Sequence, residues 1–213
     1  RCRSFSTILA CNTALAALIY SVTNVSSGIY ILIWDQQVIP TVDALCSVRA
    51  YIYHSSIAAF HHSFVLQAIH KFCKIKGSTW LSTRCQKICF ILFQWLFDFT
   101  FDLPALVTGN MVKLISDNIC FVTLSKLEFV IYMSVVAYFL PDIIINVTHK
   151  LLVRYTRKVA SRVNTNQERQ MRRDLIVVRR IVMLNLPMAI VGIPVLIIVI
   201  LTIVLQELLP HNI

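Results

Sequence analysis

Eight hydrogen-bonding side chains fall within one otherwise apolar stretch: Tyr53, His54, Ser55, Ser56, His61, His62, Ser63 and Gln67. Neighbouring histidines such as His61 and His62 suggest a metal ligand pair or a proton relay. Adjacent residues point about 100° apart on a helix, so the two cannot easily chelate one ion. No His-Glu-x-x-His run or cysteine-rich pattern accompanies them. Hydrogen bonding between helices is therefore the expected role, and no metal or other cofactor is expected. Asp98 and Asp102 are four apart and would share one helix face. Two ionised carboxylates there would repel. Either one of them is protonated or near the outer water, or the span ends earlier. There is no nucleophile–base set and no phosphate-cradling glycine loop, so the chain is not expected to be an enzyme.

The elements that carry these groups are long and apolar. Of the 213 residues, 57% are hydrophobic and 14% charged, against about 45–50% and about 25% in ordinary globular domains. Mean hydropathy is +0.72. A helix needs about 20 mostly apolar residues to cross the hydrocarbon core. Buried strands are only about 4–8 residues long. Five spans are expected, at about 5–33, 45–72, 88–107, 127–153 and 181–205. No repeat interrupts them, and the expected fold is an all-α polytopic membrane helix bundle forming a single domain over 1–213. The second span is the most polar. Polar groups in lipid must be satisfied internally, so this helix should sit at the centre of the bundle.

The net charge of +10 raises the possibility of nucleic acid. The charges lie between the spans rather than along one amphipathic face, which makes a lipid bilayer the expected partner and nucleic acid an unexpected one. Arg1, Arg3, the loop from Lys71 to Lys87 and the loop from Lys150 to Arg180 hold 17 of the 20 basic residues. Five alternating spans put all of these on one side, assigned to the cytoplasm. Arg49, Lys113 and Lys126 are the bases of the other side. The basic loop of 154–180 has a polar centre at Asn164–Glu168, where a mobile turn between two helical extensions is expected. Its charge suits a lipid-surface belt, at about 1 kcal/mol per Lys or Arg, and is compatible with partner docking.

Of seven cysteines, only Cys46 and Cys120 lie at the oxidising outer face in this topology. One bridge between them is expected, with two unpaired thiols as the alternative. Cys2, Cys73, Cys85 and Cys89 face the cytosol, and Cys11 lies near it. Cys85 and Cys89 have no matching His or Cys pair for zinc. The sequons at Asn24 and Asn146 fall within spans and are expected to be chance matches. The chain starts at Arg1 without an initiator Met and stops at Ile213 just past a span. A partial chain lacking elements at both ends is expected.

In order and spacing, the chain resembles a rhodopsin-like (class A) G protein-coupled receptor over that family's second to sixth helices. Cys46 is similar to the cysteine atop the family's third helix, and Cys120 to its partner in the second outer loop. Twenty-five residues after Cys46 the family carries the Arg of an Asp-Arg-Tyr triplet; here the triplet is His70-Lys71-Phe72. Trp95 resembles the fourth-helix tryptophan, with Pro104 near that helix's proline. Pro141 and Pro194 resemble the fifth- and sixth-helix prolines. Asp174, twenty residues before Pro194, stands where the family often has an acid.

The resemblance implies a seven-helix receptor of which five helices are visible. It would be a multi-pass protein of the plasma membrane, carrying ligand binding to a heterotrimeric G protein on the cytoplasmic face. Lys71 and Asp174 would form the inactive-state latch. The pocket wall would include Tyr53, His54, Ile57, Met133, Ser134, Ala137, Val195 and Val199. Amine receptors carry an acid seven residues after this cysteine; here it is Tyr53, so an extracellular peptide or lipid-like ligand is favoured. The chain departs from the family in several places. Lys71 keeps the charge but lacks the planar fork of Arg. Ile19 sits about where a sodium-binding acid belongs, and Val191-Gly192-Ile193-Pro194 lacks the sixth-helix aromatic switch. The alternative is a transporter or channel subunit with a polar central helix, although no internal symmetry supports it.

Overall fold

The computed structural model describes residues 5–34, 45–77, 83–114, 119–122 and 127–159, with 175–177, 179–180, 182–183, 190, 197 and 201 further along. Helix α1 runs Phe5–Trp34. Its buried positions Leu9, Asn12, Thr13 and Ala16 recur at helical spacing, while Leu15, Leu18, Val22, Val25, Ile29 and Leu32 stay exposed. One face therefore packs inward and the other is an apolar stripe with no protein partner among the described residues.

Helix α2, Cys46–Lys76, occupies the centre. It packs against α1 and against most of the elements introduced below. Ala50, Ala58, Ala59 and Ala68 are almost wholly buried, because small side chains let neighbouring backbones approach closely. Gly77 ends the helix in the left-handed region at φ 71°, its N–H reaching the carbonyls of Cys73 and Lys74. Only a residue without Cβ takes that conformation readily.

Helix α3, Arg84–Thr100, opens with a reciprocal cap between Thr83 and Gln86. It does not continue to residue 107 as one helix. It stops at Thr100, and a short α4 spans Leu103–Val107 with Pro104 in its first turn. Proline lacks an N–H and its ring clashes with the carbonyl four residues earlier, which is that of Thr100.

Two strands, β1 Met111–Leu114 and β2 Ile119–Val122, pair antiparallel with Met111 opposite Val122 and Leu114 opposite Ile119. This short hairpin is a small addition to the expected helical architecture. Met111 and Val122 are buried with Ala50, Ala105, Val130 and Met133, so the hairpin is packed onto the helices. The expected Cys46–Cys120 disulfide is present, with Cα atoms 5.2 Å apart.

The fourth span is also interrupted. Helix α5, Leu127–Ser134, widens into a π turn at Val135–Phe139 and resumes as α6, Leu140–Val159. Pro141 has no N–H for the carbonyl of Ala137, and the Leu140 N–H bonds instead to Val135 five residues back. The wider turn thus follows from the missing donor.

Among the described residues, three segments are long and apolar enough to cross a membrane: Phe5–Ile33, Cys85–Val107 and Glu128–Thr156. Helix α2 is long enough, but its polar side chains keep it out of that set. The span expected at 181–205 lies almost wholly outside the described residues.

Candidate functional site

Two groups of polar residues stand at different depths along α2. The first surrounds a cavity of about 380 Å³ at the disulfide end. Asn24, Ser27, Gly28, Tyr30 and Ile31 of α1 form one wall. Arg49, Ala50 and Tyr53 of α2 form the second, and Cys120 and Phe121 of β2 close the third. The bridge holds β2 against the first residue of α2, so the hairpin cannot lift from the cavity without carrying α2 with it. Ser47 adds a bond from its hydroxyl to the Met111 carbonyl at 2.7 Å.

Within the cavity wall the Arg49 guanidinium lies 3.7 Å from the Tyr30 ring centre. Such a cation over an aromatic face is held by the ring quadrupole. No acidic side chain is among the described residues lining the space. A cavity of this size falls in the range of small-ligand sites. Arg49 is the charged side chain among the described lining residues, and Asn24, Ser27 and the tyrosines supply hydrogen-bonding groups around it.

The second group is an inner network joining α1, α2 and α3. The Asn12 amide donates to Gln94 Oε1 at 2.9 Å, and Trp95 Nε1 donates to Asn12 Oδ1 at 2.8 Å. Gln94 Nε2 reaches both the Ala59 carbonyl and Asp98 Oδ2, each at 3.0 Å. Asp98 Oδ1 meets His62 Nδ1 at 2.5 Å. One turn on, Ser55 donates to Asp102 Oδ2 at 3.1 Å. Asp98 and Asp102 are both fully buried. The break after Thr100 separates their surroundings, in line with the option that the helix ends early.

Compared with known proteins, this chain matches no family model and no curated protein. Any functional reading therefore stands on the residues themselves.

The structure sorts the residues expected at a pocket. Tyr53 lines the cavity. His54 is buried against Phe121, with ring centres 4.8 Å apart. Ile57 is buried, and Met133 sits in the cluster under the hairpin. Ala137 packs with Ala58 and Phe101, and Ser134 is half-buried. The expected wall and the cavity thus share Tyr53 alone among the described residues. Val195, Val199, Pro194 and Asp174 lie outside them. His61 and His62 point to different helices, His61 to Tyr138 at 5.2 Å and His62 to Asp98, as adjacent helical positions require.

At the opposite end of α2, His70 meets the Phe5 ring edge-on at 4.7 Å and lies 3.5 Å from the Ser6 hydroxyl. Lys71 and Phe72 are half-buried beside it. Trp95 also stacks on Phe99. Pro104 and Pro141 stand at the two helix interruptions already described. Asn146 is exposed on α6, its amide bonded to the Asp142 carbonyl.

Asn12, Gln94 and Arg49 were not singled out from sequence. Asn12 and Gln94 did carry a signal, since amides inside apolar spans must find partners. Arg49 entered only as one of three bases on the outer side.

Proposed function

We propose that the chain is the greater part of a rhodopsin-like G protein-coupled receptor in the plasma membrane. The observation that carries this reading is the Cys46–Cys120 bridge, which ties a loop hairpin to the head of the central helix beside a cavity. The exposed apolar stripes of α1, α3 and α6 support its seating in lipid. Leaving so much apolar surface in water would cost about 25 cal/mol per Å². A ligand entering between α1, α2 and the hairpin would shift a two-state bundle and open its basic end to a heterotrimeric G protein.

The cavity favours a peptide or lipid-like ligand over a cationic amine, because Tyr53 stands where an amine would need a carboxylate. The test is ligand-dependent nucleotide exchange on a G protein by the full-length receptor, screened with peptides, lipids and amines. A potent amine agonist would reject this ligand class. The latch proposed between Lys71 and Asp174 predicts higher basal exchange in Asp174→Asn. Unchanged basal exchange at normal surface expression would count against it.

A second reading draws on the inner network. Asp98 and Asp102 are buried ionisable groups between helices, with the half-buried His62 on Asp98, a common feature of proton-coupled transporters. Proton-driven substrate flux in liposomes, abolished by Asp98→Asn, would favour a transporter over the receptor.

A further inference from the structure

Cys85 and Cys89 stand one turn apart at the start of α3, both exposed, with their Sγ atoms 3.9 Å apart. Neither belongs to the cavity or to the inner network. They head a row of exposed apolar side chains, Ile88, Leu92 and Leu96, on the same face of the helix. Between the two thiols, Lys87 turns to the Phe5 ring of α1, 5.4 Å from its centre. The Thr83–Gln86 cap fixes where the helix begins. The thiols therefore sit where a capped, basic helix end gives way to an apolar stripe.

We propose that Cys85 and Cys89 form an S-acylation site that takes a long-chain fatty acyl group from an acyl-CoA. This rests on the reading that α3 crosses a membrane with its first turn at the cytosolic surface, where juxtamembrane cysteines are acylated. A cysteine thiolate attacks the acyl carbonyl. The new sulfur–carbon bond forms as the bond to the CoA sulfur breaks. CoA leaves as a thiolate and takes up a proton equivalent to the one the cysteine lost, so nothing is oxidised or reduced. The attached chain then lies along Ile88, Leu92 and Leu96 into the hydrocarbon. The second thiol is near enough to receive the acyl group by thioester exchange, so either cysteine suffices.

The test is acyl exchange on the full chain expressed in animal cells. Free thiols are blocked, thioesters are cleaved with hydroxylamine, and the released thiols are tagged with a polyethylene glycol maleimide. A hydroxylamine-dependent mass shift is expected in the wild type, in Cys85→Ser, in Cys89→Ser and in Cys11→Ser/Cys73→Ser. It should vanish in Cys85→Ser/Cys89→Ser. A shift that survives this double substitution overturns the proposal. So does a shift in a Cys46→Ser/Cys120→Ser background that requires a reductant instead of hydroxylamine, which marks a disulfide between Cys85 and Cys89. Alkaline carbonate extraction separates the two levels of inference. A membrane-retained chain without thioesters defeats the acylation alone, whereas a chain released by carbonate defeats the membrane reading along with it.

Discussion

His62 meets Asp98 nitrogen to oxygen at 2.5 Å across the seam between α2 and α3, with the carboxylate fully buried. Gln94 holds the other carboxylate oxygen, so both acceptor atoms of Asp98 are engaged. Removing one partner of a buried hydrogen bond leaves the other unsatisfied, at a cost of about 1–3 kcal/mol. Asp98→Ala should accordingly lower the melting temperature in detergent well below that of the wild type. Asp102→Asn keeps an acceptor for Ser55 and should cost about 1 kcal/mol or less. Equal losses in the two variants would mean that the His62 contact adds little.

The amide of Asn12 ties Gln94 and Trp95 together through its two ends. Residues sharing one hydrogen-bonded network couple by about 0.5–3 kcal/mol. Asn12→Ala and Trp95→Phe should therefore be less destabilising together than the sum of the two alone. Thermal unfolding of the two single variants and the double variant measures this directly, and strict additivity would remove the network.

The bridge closes a loop between residues 74 apart in sequence. By chain entropy such a closure stabilises by about 4 kcal/mol. Cys46→Ser should lower thermal stability, and Cys46→Ser/Cys120→Ser should lower it no further. Reductant should move the wild type to the same melting temperature while leaving both variants unchanged.

The proposed orientation predicts which ends of α2 and the hairpin reach which aqueous phase. In a background with Cys2, Cys11, Cys73, Cys85 and Cys89 replaced by Ser, Val112→Cys should react with a membrane-impermeant maleimide on intact cells. Lys76→Cys should react only after permeabilisation. Both positions are exposed in the structure. The reverse pattern would invert the topology.

Much of the helical frame was legible in the residues because apolar runs longer than any strand admit few alternatives. The polar load of α2 placed it at the centre, and the cysteine count on the outer face singled out one bridge. The breaks were harder to read. Pro104 and Pro141 are equally proline, yet one splits a helix into two and the other widens a turn. Pro104 follows Asp102, whose carboxylate bonds Ser55, whereas Pro141 is buried within a continuing helix. The cavity was illegible for a different reason. Arg49 and Tyr30 meet only through the way α1 and α2 lean together, and no local spacing encodes that angle. The pocket wall inferred along α2 and α5 fell instead within packed core at Met133 and Ala137.

The composition of α2 has a consequence for how such a chain is made. In the membrane reading, this helix leaves the ribosome before the residues that satisfy it, since Gln94, Asp98 and Asp102 are synthesised some 32 to 47 residues after His62 and Ser55. Until they arrive, α1 is the described helix that can shelter it, through Thr13 to Gln67 and Thr23 to Ser56. Helices α1 and α2 would therefore enter the bilayer as a pair. The histidine and serines of α2 would wait beside the insertion machinery until α3 closes over them.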